Sequence, residues 1–403
     1  MQRKDADPPR ECDVVVVGAG IIGLAVAREL AERHDGLRVT VLEREAEIAA
    51  HQTGSSSGVI HAGVYYRPGS LKARLCVEGA RDLYAYCDAR GIPANAAGKL
   101  IVAADESELP RLDELERRAR ANGVPGLRRL AAHQIAEIEP HAAGVAALHS
   151  PRTGVVDFRA VAHALAADVE AGGGTVALSC GALALALDGQ RTRVTHERGT
   201  TQARAAVSCA GAWSDRLAVA AGAAPEPRII PFRGSFLRLR PERATLVRAN
   251  VFPVPDPELP FLGAHLTRGH DGSVLLGPTA LIAGARSPQR RVSWGDLRQT
   301  LAWPGTWRLA RRHWRAGAAE LGHAIRPRSL VAQARRLVPE LRAADFRAGP
   351  VGIRAQALDR SGNLVDDFVV SRTARCVHVR NAPSPAATAA LAIARLIADE
   401  VEL

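Results

Sequence analysis

The sequence predicts an α/β fold in which a Rossmann-like, doubly wound sheet carries an inserted α+β domain of mixed strands. The first observation is the strand-like run Cys12–Val17, which ends at Gly18-Ala19-Gly20 and is followed by a helical pattern. A second strand over residues 38–42 follows at once, which is how a parallel doubly wound sheet begins. Further strand-like segments at 205–209 and 376–379 rejoin this sheet after a long intervening region.

The other elements follow in order from hydrophobic periodicity and from Gly, Pro and Ser punctuation. Helices are predicted over 70–90, 106–121 and 158–171, from Trp213 onward, within 294–341 and over 384–400. Strands are predicted at 99–103, near Val176, Leu183, Thr192 and Ala205, and between Pro231 and Gly277. The last helix is expected to have Ser384 as its N-cap and Pro385 in its first turn.

A chain of 403 residues fits one large two-part unit or two domains of ordinary size. We predict a discontinuous nucleotide-binding domain over 11–90, 150–230 and 345–403. The predicted substrate domain takes the remaining segments, 91–149 and 231–344.

The composition is that of a globular protein with an excess of positive charge. Hydrophobic residues make up 47% and charged residues 24%, which excludes disordered, collagen-like and disulfide-scaffold classes. The formal net charge is +11, and because only three residues are lysines the excess is almost entirely arginine. Residues 290–315 hold seven arginines and one acidic residue. Nucleic acid, an anionic membrane and an acidic substrate are therefore all candidate partners.

The cysteine pattern predicts neither a metal site nor a redox dithiol. The six cysteines form no CxxC pair and no zinc spacing with histidine, which indicates reduced thiols in a cytoplasmic protein. The first twelve residues have no apolar core of signal-peptide length. The longest apolar run, 14–27, is shorter than the ~20 residues that span a bilayer. We predict a cytoplasmic location, with contact at the inner face of the membrane as an alternative.

A dinucleotide fingerprint identifies the cofactor class. Gly18, Gly20 and Gly23 lie between a strand and a helix, and Glu43 ends the next strand. The glycines allow the backbone to approach a pyrophosphate at the helix N-terminus, and the carboxylate accepts hydrogen bonds from ribose hydroxyls. An acid at this position favours FAD or NAD over NADP. The late return of the chain to the sheet, near Ala210-Gly211 and again in the C-terminal strand and helix, favours FAD.

Several longer motifs carry a resemblance to a known family. They are His51-Gln52-Thr53-Gly54, Ser57 to Tyr66, Pro231-Phe232-Arg233-Gly234, Pro253 to Pro257 with Pro260-Phe261-Leu262-Gly263, His265 to Arg268, Gly352 to Gln356, and Asn381 to Thr388. From about residue 12 to its C-terminus the chain resembles the L-2-hydroxyglutarate oxidase/dehydrogenase family, a branch of the D-amino-acid-oxidase-like FAD enzymes. It departs from that family at Ser55-Ser56, where the family has His-Asn.

The resemblance implies an FAD enzyme that oxidises L-2-hydroxyglutarate or a related 2-hydroxy acid to the 2-oxo acid. Hydride would pass to flavin N5, and the electrons then to a membrane quinone or to oxygen. The residues expected to contact FAD are Gly18, Gly20, Gly23, Glu43, Thr53, Ser57, Gly58, Ala210, Gly211, Pro385, Ala386 and Ala387. The last helix is expected to direct its N-terminus at the flavin.

The substrate site needs a carboxylate anchor and a base. By resemblance Arg354 is the anchor, and His61 and His265 are the candidate bases. A dicarboxylic substrate requires a second cation, for which the candidates are Lys99, Arg233 and Arg268; surface ion pairing or structural bracing is the alternative for each. Tyr66 is expected to orient the substrate, or else to pack in the core.

The arginine-rich segment 290–315 also contains Trp303, Trp307 and Trp314, a composition found in interfacial helices on anionic lipid. The alternative is that these tryptophans face inward and the arginines are solvated. Because of Ser55-Ser56, an amine or amino-acid oxidase is the second predicted function. A non-catalytic nucleotide-binding or nucleic-acid-binding protein is the third. Nucleic acid is not expected to be a partner, because no recognition signature accompanies the arginines.

Overall fold

A computed structural model describes residues 6–257 and 262–403. The strands are β1 (Val14–Val17), β2 (Val39–Leu42), β3 (Val59–Ile60), β4 (Ala94–Asn95), β5 (Lys99–Ala103), β6 (Arg128–Ala131), β7 (Ala146–Ser150), β8 (Gly154–Val156), β9 (Thr175–Ala177), β10 (Ala182–Asp188), β11 (Arg191–His196), β12 (Gly199–Ala203), β13 (Ala205–Ser208), β14 (Arg228–Leu239), β15 (Asn250–Pro253), β16 (His265–Arg268), β17 (Val274–Gly277), β18 (Leu281–Ile282), β19 (Phe346–Leu358), β20 (Val369–Thr373) and β21 (Cys376–Asn381). The helices are α1 (Ile21–Arg33), α2 (Leu71–Ala89), α3 (Leu109–Ala121), α4 (Ala132–Ile138), α5 (Phe158–Ala171), α6 (Ser214–Ala220), α7 (Trp294–Ala302), α8 (Pro304–Arg312), α9 (Trp314–Ile325), α10 (Pro327–Ala334) and α11 (Ala390–Ala398).

Six strands form the first sheet, in the order β20-β21-β13-β1-β2-β9. β1 lies inside it and pairs in parallel with β13 and β2, so that Val14 is opposite both Ala205 and Val39. β9 and β21 extend the parallel pairing, and β20 closes one edge in the antiparallel direction. All four valines of β1 are at most 5% exposed, which fits a strand covered on both faces.

Helices cover one face of this sheet, and a small antiparallel sheet covers the other. On the helical side, α1 packs against α5 and α11, over Val14 and Val16. On the opposite side, Val15 and Val17 pack with residues of β10 and β11, which form a three-stranded sheet with β12. The predicted Rossmann-like α/β fold is confirmed, with a sheet as the second covering layer.

The second large sheet has nine strands. Eight follow the order β18-β14-β17-β16-β15-β5-β7-β6, and β19 pairs with β14. β14 and β19 run antiparallel from the pair Arg228–Leu358 to the pair Leu239–Phe346. Residues 346–358 therefore lie in the second sheet, although their segment was predicted with the nucleotide-binding domain. The long ladder between the two strands determines where β19 lies.

Two predicted helices differ from the observed ones. α11 begins at Ala390, and residues 384–389 form turns. Ser384 does not cap a helix: its Oγ lies 3.4 Å from Nε2 of His61, and the N-cap of α11 is Ala389. The predicted helical region 294–341 contains four separate helices, of which α8 has Pro304 in its first turn.

The tryptophans of the arginine-rich segment divide between the interior and the surface. Trp303 is 7% exposed and packs with Ile230 and Leu358. Trp307 and Trp314 are 60% and 63% exposed. The inward alternative is therefore correct for Trp303 and wrong for the other two.

Candidate active site

A cavity of ≈980 Å³ lies between the two large sheets. Its walls come from both: the turn after β1 on one side, and β14, β16 and β19 on the other. This volume is at the upper end of the range of about 300–1,000 Å³ typical of ligand sites. Among the described residues, none forms a cluster suited to a metal ion, and no helix is long and apolar enough to span a bilayer.

The glycine fingerprint forms the tight turn that its spacing predicts. Gly18 has φ +103°, and a Cβ on it would lie 2.6 Å from the carbonyl oxygen of Cys209. A Cβ on Gly23 would lie 2.0 Å from the carbonyl oxygen of Gly18, so α1 could not pack this close to the strand. Gly20 is the N-cap of α1 and offers no side-chain cap. This leaves a helix N-terminus facing the cavity, as a pyrophosphate requires.

Two side chains fix this turn. Oγ1 of Thr53 accepts a hydrogen bond from the Ile21 amide at 3.1 Å. Glu43 accepts at Oε2 from the Ala19 amide at 2.7 Å and at Oε1 from the Glu45 amide at 3.0 Å. Burial raises the pKa of Glu43. Each carboxylate oxygen has a second lone pair, so Glu43 can still accept from a ribose.

Eleven of the twelve residues predicted to contact the cofactor line the cavity. They are Gly18, Gly20, Gly23, Glu43, Thr53, Ser57, Ala210, Gly211, Pro385, Ala386 and Ala387. The twelfth, Gly58, is absent from the wall: it has φ +77°, and a Cβ there would lie 2.9 Å from the carbonyl oxygen of Val156. Gly58 is therefore a turn residue beside β8, and the prediction that it contacts the cofactor is corrected.

A cation–aromatic group on this wall was missed by sequence reasoning. The guanidinium of Arg44 lies 4.2 Å from the centre of the Trp213 ring, and the His51 ring lies 5.1 Å from the same ring. All three residues line the cavity beside Glu43. Because Arg44 and Trp213 are 169 positions apart, no local sequence pattern predicts their contact.

Arg354, His61 and His265 line one end of the cavity together, close enough that, besides burial, the charge of Arg354 lowers the pKa of both histidines. Nδ1 of His265 lies 2.8 Å from the carbonyl oxygen of Gly263, so Nδ1 carries the proton and Nε2 has a free lone pair. The ring also stacks on Phe252 at 4.1 Å. Burial, together with the nearby charges of Lys99 and Arg354, lowers the pKa of His265 to about 4. His265 is thus an unprotonated imidazole at neutral pH.

His61 has its own set of contacts. Its amide donates to Oγ1 of Thr388 at 3.0 Å, and its Nε2 lies 3.4 Å from Oγ of Ser384. Burial and the charge of Lys99 hold the pKa of His61 well below its usual value. The C-terminal turn before α11 therefore positions this histidine, while Nε2 is already engaged by a hydroxyl.

Lys99 and the tyrosines lie close together at this end. The Lys99 ammonium is 4.9 Å from the Tyr65 ring centre and 4.4 Å from that of Phe252. Lys99 is 1% exposed and lies behind the wall, whereas Tyr65, Tyr66 and Phe252 line it. Burial lowers the pKa of Lys99 to about 7. Its charge acts on the cavity through the aromatic rings.

A second lysine was not predicted. Lys72 lines the cavity, and its Nζ lies 2.8 Å from Oδ1 of Asp366 and 5.1 Å from the centre of the Tyr66 ring. Burial raises the pKa of Tyr66 well above its usual value, so its phenol stays protonated. Lys72 and Asp366 both line the cavity, so they form an ion pair on its wall that adds no net charge.

Besides Lys99, two predicted substrate residues, Arg233 and Arg268, do not line the cavity. Phe232 and Gly234 line it, so Arg233 between them points to the opposite face of β14. Arg268 donates from Nη1 to the carbonyl oxygen of Val247 at 2.8 Å and braces a loop. Arg268 thus has the structural bracing role that was given as its alternative. The structure does not bring Arg233 or Arg268 into position to bind a second substrate carboxylate. Of the resemblance motifs, Pro260-Phe261 lies outside the described residues.

Ser55 and Ser56, the positions at which the sequence departs from the family pattern, also line the cavity. Oγ of Ser55 donates to the carbonyl oxygen of His51 at 2.9 Å, and Oγ of Ser56 donates to that of Thr53 at 3.1 Å. Both hydroxyls are thus engaged by their own loop. Nearby, Oε1 of Gln52 accepts from the Ala355 amide at 3.0 Å and ties this loop to the strand of Arg354.

The fold and the cavity together define an FAD-dependent oxidoreductase. The glycine cradle, the helix N-terminus and the acid at the second strand fit a dinucleotide, and the volume leaves room for a small acid beside it. Residues 13–400 match the family model described as FAD dependent oxidoreductase. The cofactor of the chain is FAD.

Comparison with known proteins narrows the class. L-2-hydroxyglutarate dehydrogenases of mitochondria are 45% identical in Nematostella vectensis, over 98% of this chain and 91% of that protein, and 43% in Homo sapiens, over 97% and 88%. The enzyme of that name from Indibacter alkaliphilus is 38% identical, over 94% and 96%. The chain belongs to the L-2-hydroxyglutarate dehydrogenase family.

Solved structures agree on the fold. An L-α-glycerophosphate oxidase from Mycoplasma pneumoniae with FAD bound superposes with a TM-score of 0.79 at 23% identity, covering 98% of this chain and 96% of that one. A glycine oxidase from Geobacillus kaustophilus gives 0.72 at 20% identity, with coverage of 98% and 96%.

Proposed function

We propose that this protein oxidises L-2-hydroxyglutarate, or a closely related 2-hydroxy acid, to the 2-oxo acid. The observation that carries the proposal is that Arg354 and a neutral His265 line the same cavity, close enough that, besides burial, the charge of Arg354 lowers the pKa of His265. An anion and a hydroxyl proton are the two groups that this pair can hold. The names of the relatives at 38–45% identity support the same substrate.

Arg354 binds the C1 carboxylate. A guanidinium can donate two parallel hydrogen bonds to a carboxylate, which fixes both the position and the rotation of the substrate. Holding C1 in this way places C2 and its hydroxyl at a defined distance from the flavin and from the histidines. Lys99 adds a positive charge behind the wall that favours a second carboxylate.

His265 removes the hydroxyl proton. Its Nδ1–H is fixed on Gly263, which leaves the Nε2 lone pair as the acceptor. Binding of a carboxylate to Arg354 removes part of the positive field on His265, so the pKa of His265 rises toward neutrality in the complex. His61 is held by the C-terminal turn, and its Nε2 is engaged by the Ser384 hydroxyl. FAD bound here supplies the acceptor for the hydride from C2.

The second candidate, an amine or amino-acid oxidase, would place an ammonium group at C2. Lys99 and Arg354 both face that end, so an ammonium there is repelled whereas a neutral hydroxyl is not. This charge distribution favours the hydroxy acid.

The test is anaerobic reduction of the flavin by matched substrates. L-2-hydroxyglutarate and L-glutamate differ only in the group at C2, and the D-hydroxy acid tests the stereochemistry. We expect bleaching by L-2-hydroxyglutarate alone. Bleaching by L-glutamate or glycine, with none by any 2-hydroxy acid, would contradict the proposal and support an amine or amino-acid oxidase.

We further propose that the electrons leave at an anionic membrane surface. Trp307 and Trp314 are exposed on α8 and α9, with Leu321 at 52% and Ile325 at 68% exposure. Exposed arginines, among them Arg311 and Arg315, share these helices. Aromatic and aliphatic side chains beside arginine suit shallow insertion among anionic headgroups. A quinone would then accept the electrons, with oxygen as the alternative, and the protein would lie at the inner face of the membrane.

Vesicle binding tests this surface. We expect the holoenzyme to bind vesicles of phosphatidylglycerol and to dissociate as salt is raised, and not to bind pure phosphatidylcholine. The double variant Trp307→Gln/Trp314→Gln should lose binding and keep flavin reduction by substrate. Equal binding by the variant and the wild type would exclude this face.

A further inference from the structure

A buried ion pair joins the two parts of the molecule directly behind the cavity wall. Asp215, on α6 beside the first sheet, is 0% exposed, and Arg286, in the segment after β18, is 3% exposed. Nη2 of Arg286 donates to Oδ2 of Asp215 at 3.0 Å, and Nη1 donates to Oδ1. The two residues are 71 positions apart, so the fold alone brings them together.

The same guanidinium holds two backbone segments of the cavity wall. Nη1 of Arg286 donates to the carbonyl oxygen of Ala212 at 2.6 Å, and Nη2 donates to that of Ile229 at 3.0 Å. Asp215 accepts in turn from the Ile229 amide at 3.1 Å. Ala212 belongs to the turn Gly211–Trp213, and both Ala212 and Ile229 line the cavity. The ion pair thus fixes the spacing between the cofactor-side turn and the start of β14.

A second acid extends this network to a cation on the wall. Asp296, at 7% exposure on α7, accepts from the Arg286 amide at 2.9 Å and from Nη2 of Arg216 at 2.5 Å. Gln299 accepts from Nε of Arg216 at 2.6 Å. Arg216 lines the cavity, and the two bonds from α7 determine where its guanidinium lies.

A buried ion pair contributes little net free energy to folding. Removing two charges from water costs free energy that their attraction often only offsets, and apolar residues of similar size stabilise at least as well. A guanidinium instead fixes the relative positions of several acceptors, because it donates to all of them from one rigid plane. Four acceptors are held here, and two of them are backbone atoms of the cavity wall.

We infer that Asp215 and Arg286 are positioning residues for FAD: they hold the turn Gly211–Trp213 and, through Asp296, the side chain of Arg216 against the bound cofactor. The inference does not depend on which acid is oxidised, since it concerns binding of FAD to the protein without substrate. Failure of the substrate proposal would leave it standing.

The decisive variant is Arg286→Lys. It keeps the charge opposite Asp215 but cannot reach both Ala212 and Ile229. Arg28→Lys is the control: Arg28 pairs with Asp168 at 3.2 Å between α1 and α5, and neither it nor its partner lines the cavity. Unlike Arg286, Arg28 makes its side-chain bonds to carboxylates and not to backbone atoms of the cavity wall. The apoprotein is titrated with FAD by flavin fluorescence, and the visible circular dichroism of bound flavin is recorded.

We expect Arg286→Lys to raise the dissociation constant of FAD by about tenfold, as the loss of one or two hydrogen bonds predicts, and to alter the visible circular dichroism. Arg28→Lys should bind FAD as the wild type does. If the ion pair only stabilised the fold, Arg286→Lys would lower the melting temperature but leave the affinity for FAD and the visible circular dichroism of the flavin unchanged. That result would overturn the inference.

Asp296→Asn keeps the experiment decisive if Arg286→Lys does not fold. It leaves the side-chain pair Asp215–Arg286 in place, but its single side-chain oxygen cannot accept from both Arg216 and the Arg286 amide, so the link between them is weakened. A weaker affinity for FAD and an altered flavin spectrum would support the network, and wild-type values in this folded variant would refute it.

Discussion

The backbone of Arg354 is fixed by the pairing of β19 with β14, while the residue itself is exposed to the cavity. Its neighbour Ile353 is 5% exposed, and the amide of Ala355 is held by Gln52. Phe232 lies opposite it on β14. The rigid support at this position means that a change at Arg354 should affect the substrate and not the fold.

We predict that Arg354→Met lowers kcat/KM for L-2-hydroxyglutarate by about 100-fold, because a charge-assisted bidentate contact is lost. Arg354→Lys should recover part of the loss, since it restores charge but not the fork. Steady-state kinetics and the flavin content of the purified variants measure this. An unchanged kcat/KM would remove Arg354 from the site.

The pH dependence should report Lys99 and His265. Because the pKa of His265 is about 4, its base form is present above that pH and kcat/KM should rise through it. Because the pKa of Lys99 is about 7, its positive charge is lost above that pH and kcat/KM should fall. The groups around Lys99 stay neutral across this window. Burial raises the pKa of Tyr65 well above its usual value and that of Cys76 to about 12, and it lowers the pKa of His61.

Lys99→Met should abolish the alkaline limb of this profile and leave the acid limb in place, as measured by kcat/KM from low to high pH. Retention of the alkaline limb would show that another group titrates there.

The sequence alone predicted some residues of the candidate active site and missed others. Arg354 and His265 were found by resemblance, and both line the cavity. His265 and Arg268 were proposed together, yet they lie three positions apart on β16, so their side chains point to opposite faces. Strand parity could have separated them. Arg44, Lys72 and Gln52 were missed because their partners are distant in sequence.

Among the elements, the turn from β1 into α1 was the most predictable, since its geometry comes from consecutive residues. The start of α11 and the sheet to which β19 belongs were not, because a proline-rich turn and a long-range ladder decide them. Local patterns predict local elements, and pairing between distant strands needs the whole chain.

Two helical glycines provide a matched test of this turn. Gly23→Ala should abolish FAD binding, because its Cβ would lie 2.0 Å from the carbonyl oxygen of Gly18 and push α1 off the strand. Gly317→Ala, in α9, meets nothing within 4 Å and should stabilise the protein by about 0.5–1 kcal/mol. Flavin content and thermal unfolding measure both. Normal flavin content in Gly23→Ala would contradict the close packing described here.

For the molecule as a whole, FAD should act as a bridge, because its cavity takes residues from both large sheets. Removal of FAD is predicted to lower the melting temperature. With free FAD at about 100 times its dissociation constant, the free energy of unfolding should rise by about 2.7 kcal/mol. Calorimetry of the apoprotein with increasing FAD measures this, and a melting temperature independent of FAD would contradict a cofactor that spans both sheets.

The strand order of the first sheet has a consequence for synthesis in the cell. β1 is complete early, but its neighbour β13 and the next strand, β21, are made about 190 and 360 residues later. At roughly 5–20 residues per second, β1 waits on the order of tens of seconds for the whole sheet to exist. Until then β1 lacks its β13 partner on one edge, and Val15 and Val17 lack the cover that β10 and β11 provide. Chaperone supply and slower, cooler expression should therefore govern the yield of active flavoprotein more than they govern the yield of chain.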